Sequence, residues 1–133
     1  MILVDTNVLL DVVTRDPAWA GWSKRQLDAA ALRDRLGVNP VVYAELSAGF
    51  ATIEQVEEVL DLVGITVVQM SRPALFMAGR VFQEYRRRGG IRTSVLADFF
   101  IGAQAAVAGD TLITRDASRY RTYFPTVELI APV

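Results

Sequence analysis

Short apolar segments alternate with amphipathic ones along the whole chain of 133 residues, and this alternation restricts the possible folds more than any other feature. Segments as apolar as these predict strands that are buried on both faces, as in a parallel sheet. Strands that alternate with helices predict an α/β sandwich with right-handed crossovers between parallel strands. The predicted strands are Ile2–Val4, Ile65–Met70, Leu112–Thr114 and Val127–Ile130, and the pattern is compatible with a further short strand near Val38.

Capping residues predict where the helices begin and end. Thr52 and Gln55 form a capping-box pattern, and Gly64 lies where the helix that they begin should end. Asn39-Pro40 predicts an N-cap followed by a proline in the first turn of the helix that carries Glu45. Two longer helices are predicted from about Ser23 to Leu36 and from Pro73 to about Arg88.

Helical periodicity assigns the faces of these helices. In the helix after Thr52, apolar residues share one side and acidic residues cover the other, which predicts a buried face and a solvated face. The predicted inward residues are Ile53, Val56, Leu60 and Val63 in this helix, and Leu75, Ala78, Phe82 and Tyr85 in the helix from Pro73. The predicted solvated residues are Glu54, Glu57, Glu58 and Asp61.

Composition narrows the class of protein. The length fits a single domain over residues 1–133, and a hydrophobic content of 52% argues against disorder. Asp5 interrupts the first apolar segment before a secretory signal can form, and no segment approaches the roughly 20 apolar residues of a membrane span. We therefore expect a soluble protein, and the absence of cysteine fits a cytoplasmic location. With 14 basic and 15 acidic residues, the chain as a whole is not an electrostatic nucleic-acid binder.

Four carboxylates lie in or beside apolar segments. Asp5 and Asp116 each follow an apolar strand, Asp98 interrupts an otherwise apolar helix, and Glu45 lies in a mostly apolar helical segment. A carboxylate among apolar groups has to protonate, pair with a cation or bind a metal, because burying it alone costs too much free energy. Since the chain has no histidine and no cysteine, any hydrolytic chemistry has to use carboxylates and a bound metal ion.

The predicted topology indicates where these acids meet. Ligands of an open parallel sheet bind outside the carboxyl ends of its strands, where Asp5 and Asp116 lie. If the helices bring Glu45 and Asp98 to the same edge, the four acids share one cleft and raise each other's pKa values unless a cation is present. Ligation by oxygen alone favours Mg²⁺ or Mn²⁺ over zinc or copper.

Each acid also has a structural interpretation when it is considered alone. Asp5 is as compatible with a helix N-cap as with a metal ligand, and Asp116 by itself is more typical of a turn or cap. Glu45 fits a solvated helix face, which is the usual place for a helical glutamate. Asp98 is the hardest to explain structurally, because most rotations of its apolar helix would bury it. The joint pattern therefore favours function more strongly than any single residue does.

Several short motifs also follow one another in a particular order, and together they resemble a known family. They are Asp5-Thr6-Asn7, the helical Glu45, Leu96–Ala103, Thr114-Arg115-Asp116, Tyr123-Phe124-Pro125 and Val127–Pro132. In this order, and over the whole chain, they resemble a PIN-domain ribonuclease, specifically the toxin of a VapBC-type toxin–antitoxin pair.

The resemblance implies a fold, an activity and partners. The implied fold is a PIN-like three-layer α/β/α sandwich with a flat parallel sheet of four or five strands. The implied activity is a metal-dependent endoribonuclease that cleaves RNA phosphodiester bonds through a metal-activated water. The implied partners are the RNA substrate, a VapB-like antitoxin whose tail crosses the acidic cleft, and a second copy of the chain, with no membrane involved.

The same resemblance assigns roles to single residues. The four catalytic acids would be Asp5, Glu45, Asp98 and Asp116, of which Asp5, Asp98 and Asp116 would hold Mg²⁺ or Mn²⁺. Polar neighbours that orient these ligands or water would be Thr6, Asn7 and Thr114. The chain departs from the pattern at Arg119, where some relatives carry a further acid, and at Gln104, where many carry histidine. The first departure weakens the case for a second metal ion.

Arginines near the predicted site have two possible roles. Arg115 lies next to Asp116, and it and Arg86–Arg88 are candidates for contacts with flanking phosphates. For Arg86–Arg88, a solvated helix C-terminus that complements the helix dipole explains the pattern at least as well.

The alternative function is a catalytically silent PIN-like module that binds RNA or protein. It predicts the loss of one or more of the four acids, and all four are present.

Surplus apolar side chains predict an interface. The residues concerned are Trp19 and Trp22, just ahead of a predicted helix, and Phe76 and Met77, which lie beside the inward face of the helix predicted from Pro73. A contiguous apolar surface of this kind usually marks contact with a partner. The alternative is that both pairs fill the core, and for Trp22 this is a strong alternative.

Overall fold

The computed structural model describes residues 1–133, and its strands form one parallel sheet. The strands are β1 (Ile2–Val4), β2 (Leu36–Val38), β3 (Ile65–Val67), β4 (Thr111–Ile113) and β5 (Leu129–Ile130). Their order across the sheet is β3-β2-β1-β4-β5, and each neighbouring pair is parallel. The first strand of the chain is therefore the central strand, and the predicted parallel sheet is confirmed.

Seven helices surround the sheet, and several begin or end at the predicted capping residues. Asn39 accepts a hydrogen bond from the N–H of Val42, Thr52 and Gln55 form a complete capping box, and Gly64 ends its helix with a φ of 80°. Glycine adopts this left-handed conformation without a Cβ penalty. The helices are α1 (Thr6–Val13), α2 (Ala20–Arg33), α3 (Pro40–Ser47), α4 (Ile53–Val63), α5 (Arg72–Arg87), α6 (Leu96–Ala108) and α7 (Ser118–Tyr123).

The centre of the sheet is covered on both faces. Every residue of β1 and β2 is buried. Because successive side chains of a strand point to opposite faces, helices have to pack on both sides of these strands. One continuous core cluster includes Leu3 of β1, Leu112 of β4 and Phe99 of α6. The predicted three-layer α/β/α sandwich is confirmed.

Several predicted boundaries differ from the structure. β3 ends at Val67 rather than Met70, because Val67 pairs with Val38, the last residue of β2. β5 covers only Leu129–Ile130, and β4 lies one residue earlier than predicted. Helix α2 ends at Arg33, and Leu36 begins β2 instead of ending the helix. The length of each strand depends on its partner, which local periodicity does not specify.

For two residues, the prediction of an inward orientation is wrong. Ile53 is 62% exposed and Leu75 is 43% exposed, although Val56, Leu60 and Ala78 of the same predicted faces are buried. Both exposed residues lie in the first turn of their helices. Periodicity identifies the side of a helix, but a neighbouring element has to be present before that side is covered. The predicted acidic face of α4 is exposed as expected.

None of the helices is both long enough and apolar enough to cross a membrane.

Candidate active site

The candidate site lies at the carboxyl ends of β1 and β4. From β1 the chain continues through β2 to β3 on one side of the sheet, and it later adds β4 on the other side of β1. Ligands of open parallel sheets bind at such a reversal of strand order. Because Val4 pairs with Ile113, the residues that follow them, Asp5 and Thr114, become neighbours. Here the backbone N–H of Asp5 donates to the carbonyl of Ile113 at 2.9 Å.

Asp5 is buried, and its carboxylate faces the site. It occupies the N-cap position of α1, but its side chain makes no capping hydrogen bond. Its Oδ2 instead accepts hydrogen bonds from the hydroxyls of Thr114 at 2.8 Å and Tyr120 at 3.0 Å, with a longer contact of 3.5 Å from the amide of Asn7. The helix-cap interpretation therefore does not account for the direction of this side chain.

Helices α3 and α6 contribute Glu45 and Asp98. Glu45 lies on an exposed position of α3, and its carboxylate accepts a hydrogen bond of 2.7 Å from the hydroxyl of Thr6. Asp98 lies in the first turn of α6, where its side chain is 30% exposed and forms an ion pair with Arg119. Asp98 is therefore less deeply buried than its apolar surroundings in the sequence predict.

Asp116 follows β4 by three residues and is exposed. Its backbone N–H donates to the hydroxyl oxygen of Thr114 at 3.1 Å, while its carboxylate accepts a hydrogen bond of 3.3 Å from Ser118. Thr114 thus contacts both Asp5 and Asp116, and it fixes the start of the loop that carries Asp116.

The four carboxylates are coupled electrostatically. The pKa of Asp5 is raised to about 6, first by burial and then by the negative charge of Asp98, while hydrogen bonds from Thr114 and Tyr120 oppose the rise. Burial also raises the pKa of Asp98; Arg119 opposes this effect, and the charges of Glu45 and Asp116 add to it. Each acid therefore acts on at least one of the others, as expected for residues around one cleft.

The donor chemistry of this cleft fits a divalent cation that prefers oxygen. The four predicted acids supply carboxylate oxygens, and a cation among them would relieve the mutual repulsion that adds to burial in raising the pKa values of Asp5 and Asp98. No three carboxylates converge closely enough in this structure to form a closed ligand set. Glu45 and Asp98 are turned instead towards Thr6 and Arg119.

Arg115, which the sequence marks as a candidate phosphate ligand, is bound elsewhere. Its Nε and Nη2 donate to the two carboxylate oxygens of Asp11 at 3.0 and 2.9 Å, and its guanidinium lies 5.2 Å from the ring centroid of Trp19. The side chain of Asp11 is 3% exposed and also accepts a hydrogen bond from Ser23. Two of the five N–H donors of the Arg115 side chain are therefore used inside the protein, although its role towards substrate stays a prediction.

The Arg86–Arg88 segment lies at the exposed C-terminus of α5. Arg86 stacks over Phe82 at 5.1 Å, and Arg88 pairs with Glu84 at 2.7 Å and lies over Tyr123 at 5.4 Å. These local contacts favour the helix-terminus interpretation over a dedicated phosphate site.

Two residues of this region, Asp11 and Tyr120, and the contact made by Arg119 were not predicted from the sequence. Asp11 interrupts an apolar helix, as Asp98 does, so the same criterion would have identified it. Its buried carboxylate pairs with Arg115, which shows that this criterion also selects structural ion pairs. Tyr120 is 1% exposed, and no local pattern predicts that it contacts Asp5, which lies 115 residues earlier.

The packing of α7 explains how Arg119 and Tyr120 reach the acids. Phe124, which follows α7, lies so close to Gly102 of α6 that a Cβ there would come within 2.4 Å of its ring. Phe124 also packs against Phe99, with ring centroids 6.1 Å apart. Gly102 therefore allows α7 to approach α6 closely enough for Arg119 to contact Asp98.

A surface concavity of about 540 Å³ lies elsewhere, along the exposed face of α4, and its lining contains none of the four predicted catalytic acids.

Comparisons with known proteins agree with this geometry. The family model described as "PIN domain" matches residues 2–125. No curated protein matches the chain significantly. Among solved structures, VapBC2 from Rickettsia felis, bound to a DNA fragment from its promoter, has a TM-score of 0.75 at 22% identity, with 100% of both chains covered.

Two further solved structures have the same fold. A toxin–antitoxin complex from Klebsiella pneumoniae has a TM-score of 0.70 at 21% identity, covering 100% of this chain and 98% of the other. VapBC-1 from nontypeable Haemophilus influenzae has a TM-score of 0.70 at 19% identity, covering 98% of each chain. At these identities, the structures establish a shared fold. The family match spans nearly the whole chain, from residue 2 to residue 125, and the chain therefore belongs to the PIN-domain family.

Proposed function

We propose that this chain is a metal-dependent endoribonuclease, a single PIN-like domain over residues 1–133 that acts as the toxin of a type II toxin–antitoxin pair. One observation carries the proposal. Asp5 is buried at the end of the central strand beside Asp98, and the side chains that donate hydrogen bonds to it are all neutral: Thr114, Tyr120 and Asn7. With a pKa of about 6, this carboxylate is mostly ionised at neutral pH and lacks a cation of its own.

The acids and their neighbours have distinct roles in this proposal. Asp5, Asp98 and Asp116 would hold Mg²⁺ or Mn²⁺, and Glu45 would complete the catalytic set. When bound, the divalent ion supplies activation of a water molecule and stabilisation of the charge that develops on the scissile phosphate. Thr114 and Tyr120 orient the carboxylate of Asp5, and Thr6 orients that of Glu45. Asn7 is further held by the backbone N–H of Arg115 at 3.3 Å.

The partners follow from the family and from the charge of the cleft. The similar structures include VapBC and toxin–antitoxin complexes, which supports a VapB-like antitoxin as the partner of this chain. An acidic cleft attracts a basic side chain, so we propose that an arginine or lysine of the antitoxin enters it and displaces metal or substrate. A cytoplasmic site of action fits both the RNA substrate and the absence of cysteine.

The alternative, a catalytically silent PIN-like module, differs in one measurable respect. It would bind RNA or a protein without cleaving either, so metal would have no effect on the length of the RNA. All four acids are present, and Asp5 and Asp98 are coupled to each other, which favours the nuclease.

Asp98→Asn is the substitution that tests the nuclease most directly. We expect it to lower the rate of RNA cleavage at least roughly a hundredfold, since it removes one metal-binding charge while keeping the shape of the side chain. The matched control is Asp61→Asn, because Asp61 is an exposed acid of α4. Cleavage of a mixed RNA pool is followed on gels with Mg²⁺, Mn²⁺, Ca²⁺ or chelator, and we expect Ca²⁺ to support it poorly.

Two outcomes would contradict the proposal. Cleavage by Asp98→Asn at the wild-type rate would remove Asp98 from the site, and full cleavage in chelator would exclude the metal mechanism. The toxin role is tested separately: expression should stop growth, and co-expression of the proposed VapB-like antitoxin should restore it. Growth arrest by the Asp98→Asn variant would separate toxicity from cleavage and argue against the enzyme as toxin.

A further inference from the structure

Arg119 is a cation inside the carboxylate cleft. It lies in α7, its side chain is 24% exposed, and its Nη1 contacts the Oδ2 of Asp98. Arg119 therefore pairs with one of the three acids that are proposed to hold the metal.

The position of Arg119 is set by packing rather than by chance contact at the surface. The next residue, Tyr120, is 1% exposed and donates its hydroxyl hydrogen bond to Asp5. Phe124, one residue after α7, is 3% exposed and packs against Gly102 and Phe99. Tyr120 and Phe124 thus anchor this short helix, and Arg119, the residue next to Tyr120, is presented to Asp98.

The other nearby arginine is not available for the same role. Arg115 forms a bidentate pair with Asp11, whose side chain is 3% exposed. Arg119 is therefore the basic side chain whose ion pair falls on one of the four acids. Four ionised carboxylates carry four negative charges, of which Arg119 and one divalent cation together offset three.

We propose that Arg119 occupies one of the cation positions of the cleft, so that the cleft holds one divalent ion rather than two. This inference rests on the proposed metal-dependent function and specifies the metal content of that same site. A guanidinium donates several hydrogen bonds in a fixed plane and stays charged at all relevant pH values, so it offsets carboxylate charge permanently. Without Arg119, the uncompensated charge around Asp98 favours a second divalent ion.

Metal stoichiometry tests the inference directly. Mn²⁺ is titrated into the purified full chain, and free Mn²⁺ is followed by electron paramagnetic resonance. We expect one bound ion in the wild type and two in Arg119→Gln. Arg119→Lys, which keeps the charge, should still bind one ion. The matched control is Arg121→Gln, because Arg121 is an exposed arginine of the same helix and its loss changes the net charge equally.

Each outcome has a defined consequence. A single ion in both the wild type and Arg119→Gln, in a variant shown by circular dichroism to be folded, overturns the inference and leaves the proposed nuclease standing. The inference is also overturned, and the proposed nuclease again left standing, if Arg119→Gln binds one ion more tightly without gaining a second. The consequence is the same if Arg121→Gln also gains a second ion. Binding of Mn²⁺ by none of the proteins overturns both proposals. Should Arg119→Gln not fold, Arg119→Met is measured against the same expectations.

Discussion

At the scale of single residues, the raised pKa of Asp5 predicts how the stability of the folded protein depends on pH. The pKa of Asp5 in the folded protein is about 6, against an ordinary value of 3.8. The folded state therefore binds more protons than the unfolded state between these two values, and stability is lost as the pH rises through about 6. The loss is at most about 3 kcal/mol, because each pKa unit corresponds to about 1.36 kcal/mol.

The Asp5→Asn variant should not lose stability as the pH rises through about 6. Asparagine stays neutral, and its side-chain oxygen can still accept hydrogen bonds from Thr114 and Tyr120. We expect the variant to be as stable as the wild type at pH 4 and more stable at pH 7. Urea unfolding in chelator from pH 4 to pH 7 measures the difference between the two proteins, and Asp61→Asn serves as an exposed control. A difference that does not change with pH would show that burial does not raise the pKa of Asp5.

At the scale of elements, one ion pair connects three parts of the fold. Asp11 belongs to α1, Ser23 to α2, and Arg115 to the segment after β4, and the carboxylate of Asp11 accepts hydrogen bonds from both of the others. Removing one partner of a buried pair is costly because the other charge is left uncompensated. Here the side chain of Arg115 is 33% exposed, which moderates the effect.

Arg115→Gln should therefore lower the free energy of unfolding by about 2 kcal/mol, less than the full cost of breaking a completely buried pair. Adding Asp11→Asn should recover part of the loss, since the isolated charge is then removed. Denaturant unfolding of the two single variants and the double variant measures this coupling. If Arg115→Gln weakens RNA binding and leaves stability unchanged, the sequence-based prediction of a substrate contact is correct and the structural role is wrong.

At the scale of the whole molecule, surplus apolar surface predicts self-association. Of the four side chains considered for an interface, Trp22 and Met77 pack against the core, and Trp19 packs edge-on against Trp22 with ring centroids 6.0 Å apart. Phe76 differs, because it is 69% exposed and follows Leu75, which is 43% exposed. This pair is the remaining candidate for the homodimer interface.

Phe76→Ser should shift the predicted dimer towards monomer, because it removes the largest exposed apolar side chain of α5. Light scattering over a range of concentrations measures the change in mass. Leu32→Ser is the control, since Leu32 is 91% exposed and lies on α2. A wild-type protein that is monomeric at high concentration would refute the dimer and leave the nuclease proposal unaffected.

Local sequence determined the elements and the place of the first acids. Buried strands need continuous apolar residues, and helix ends need capping groups, so Ile2–Val4, Asn39 and Thr52 could be interpreted from their neighbours alone. The parallel sheet then placed Asp5 and Thr114 at adjacent strand ends, because carboxyl ends of parallel strands share one edge.

Only the tertiary structure decided which partner each charged group has. Asp98 could have been neutralised by protonation, by a metal or by any arginine, and its contact with Arg119 depends on how closely Phe124 approaches Gly102. Arg115 looked equally available in sequence, but the pairing of β1 with β4 brings α1, and with it Asp11, within its reach. Strand and helix patterns depend on near neighbours in the chain, whereas the partner of a buried charge depends on which elements pack together.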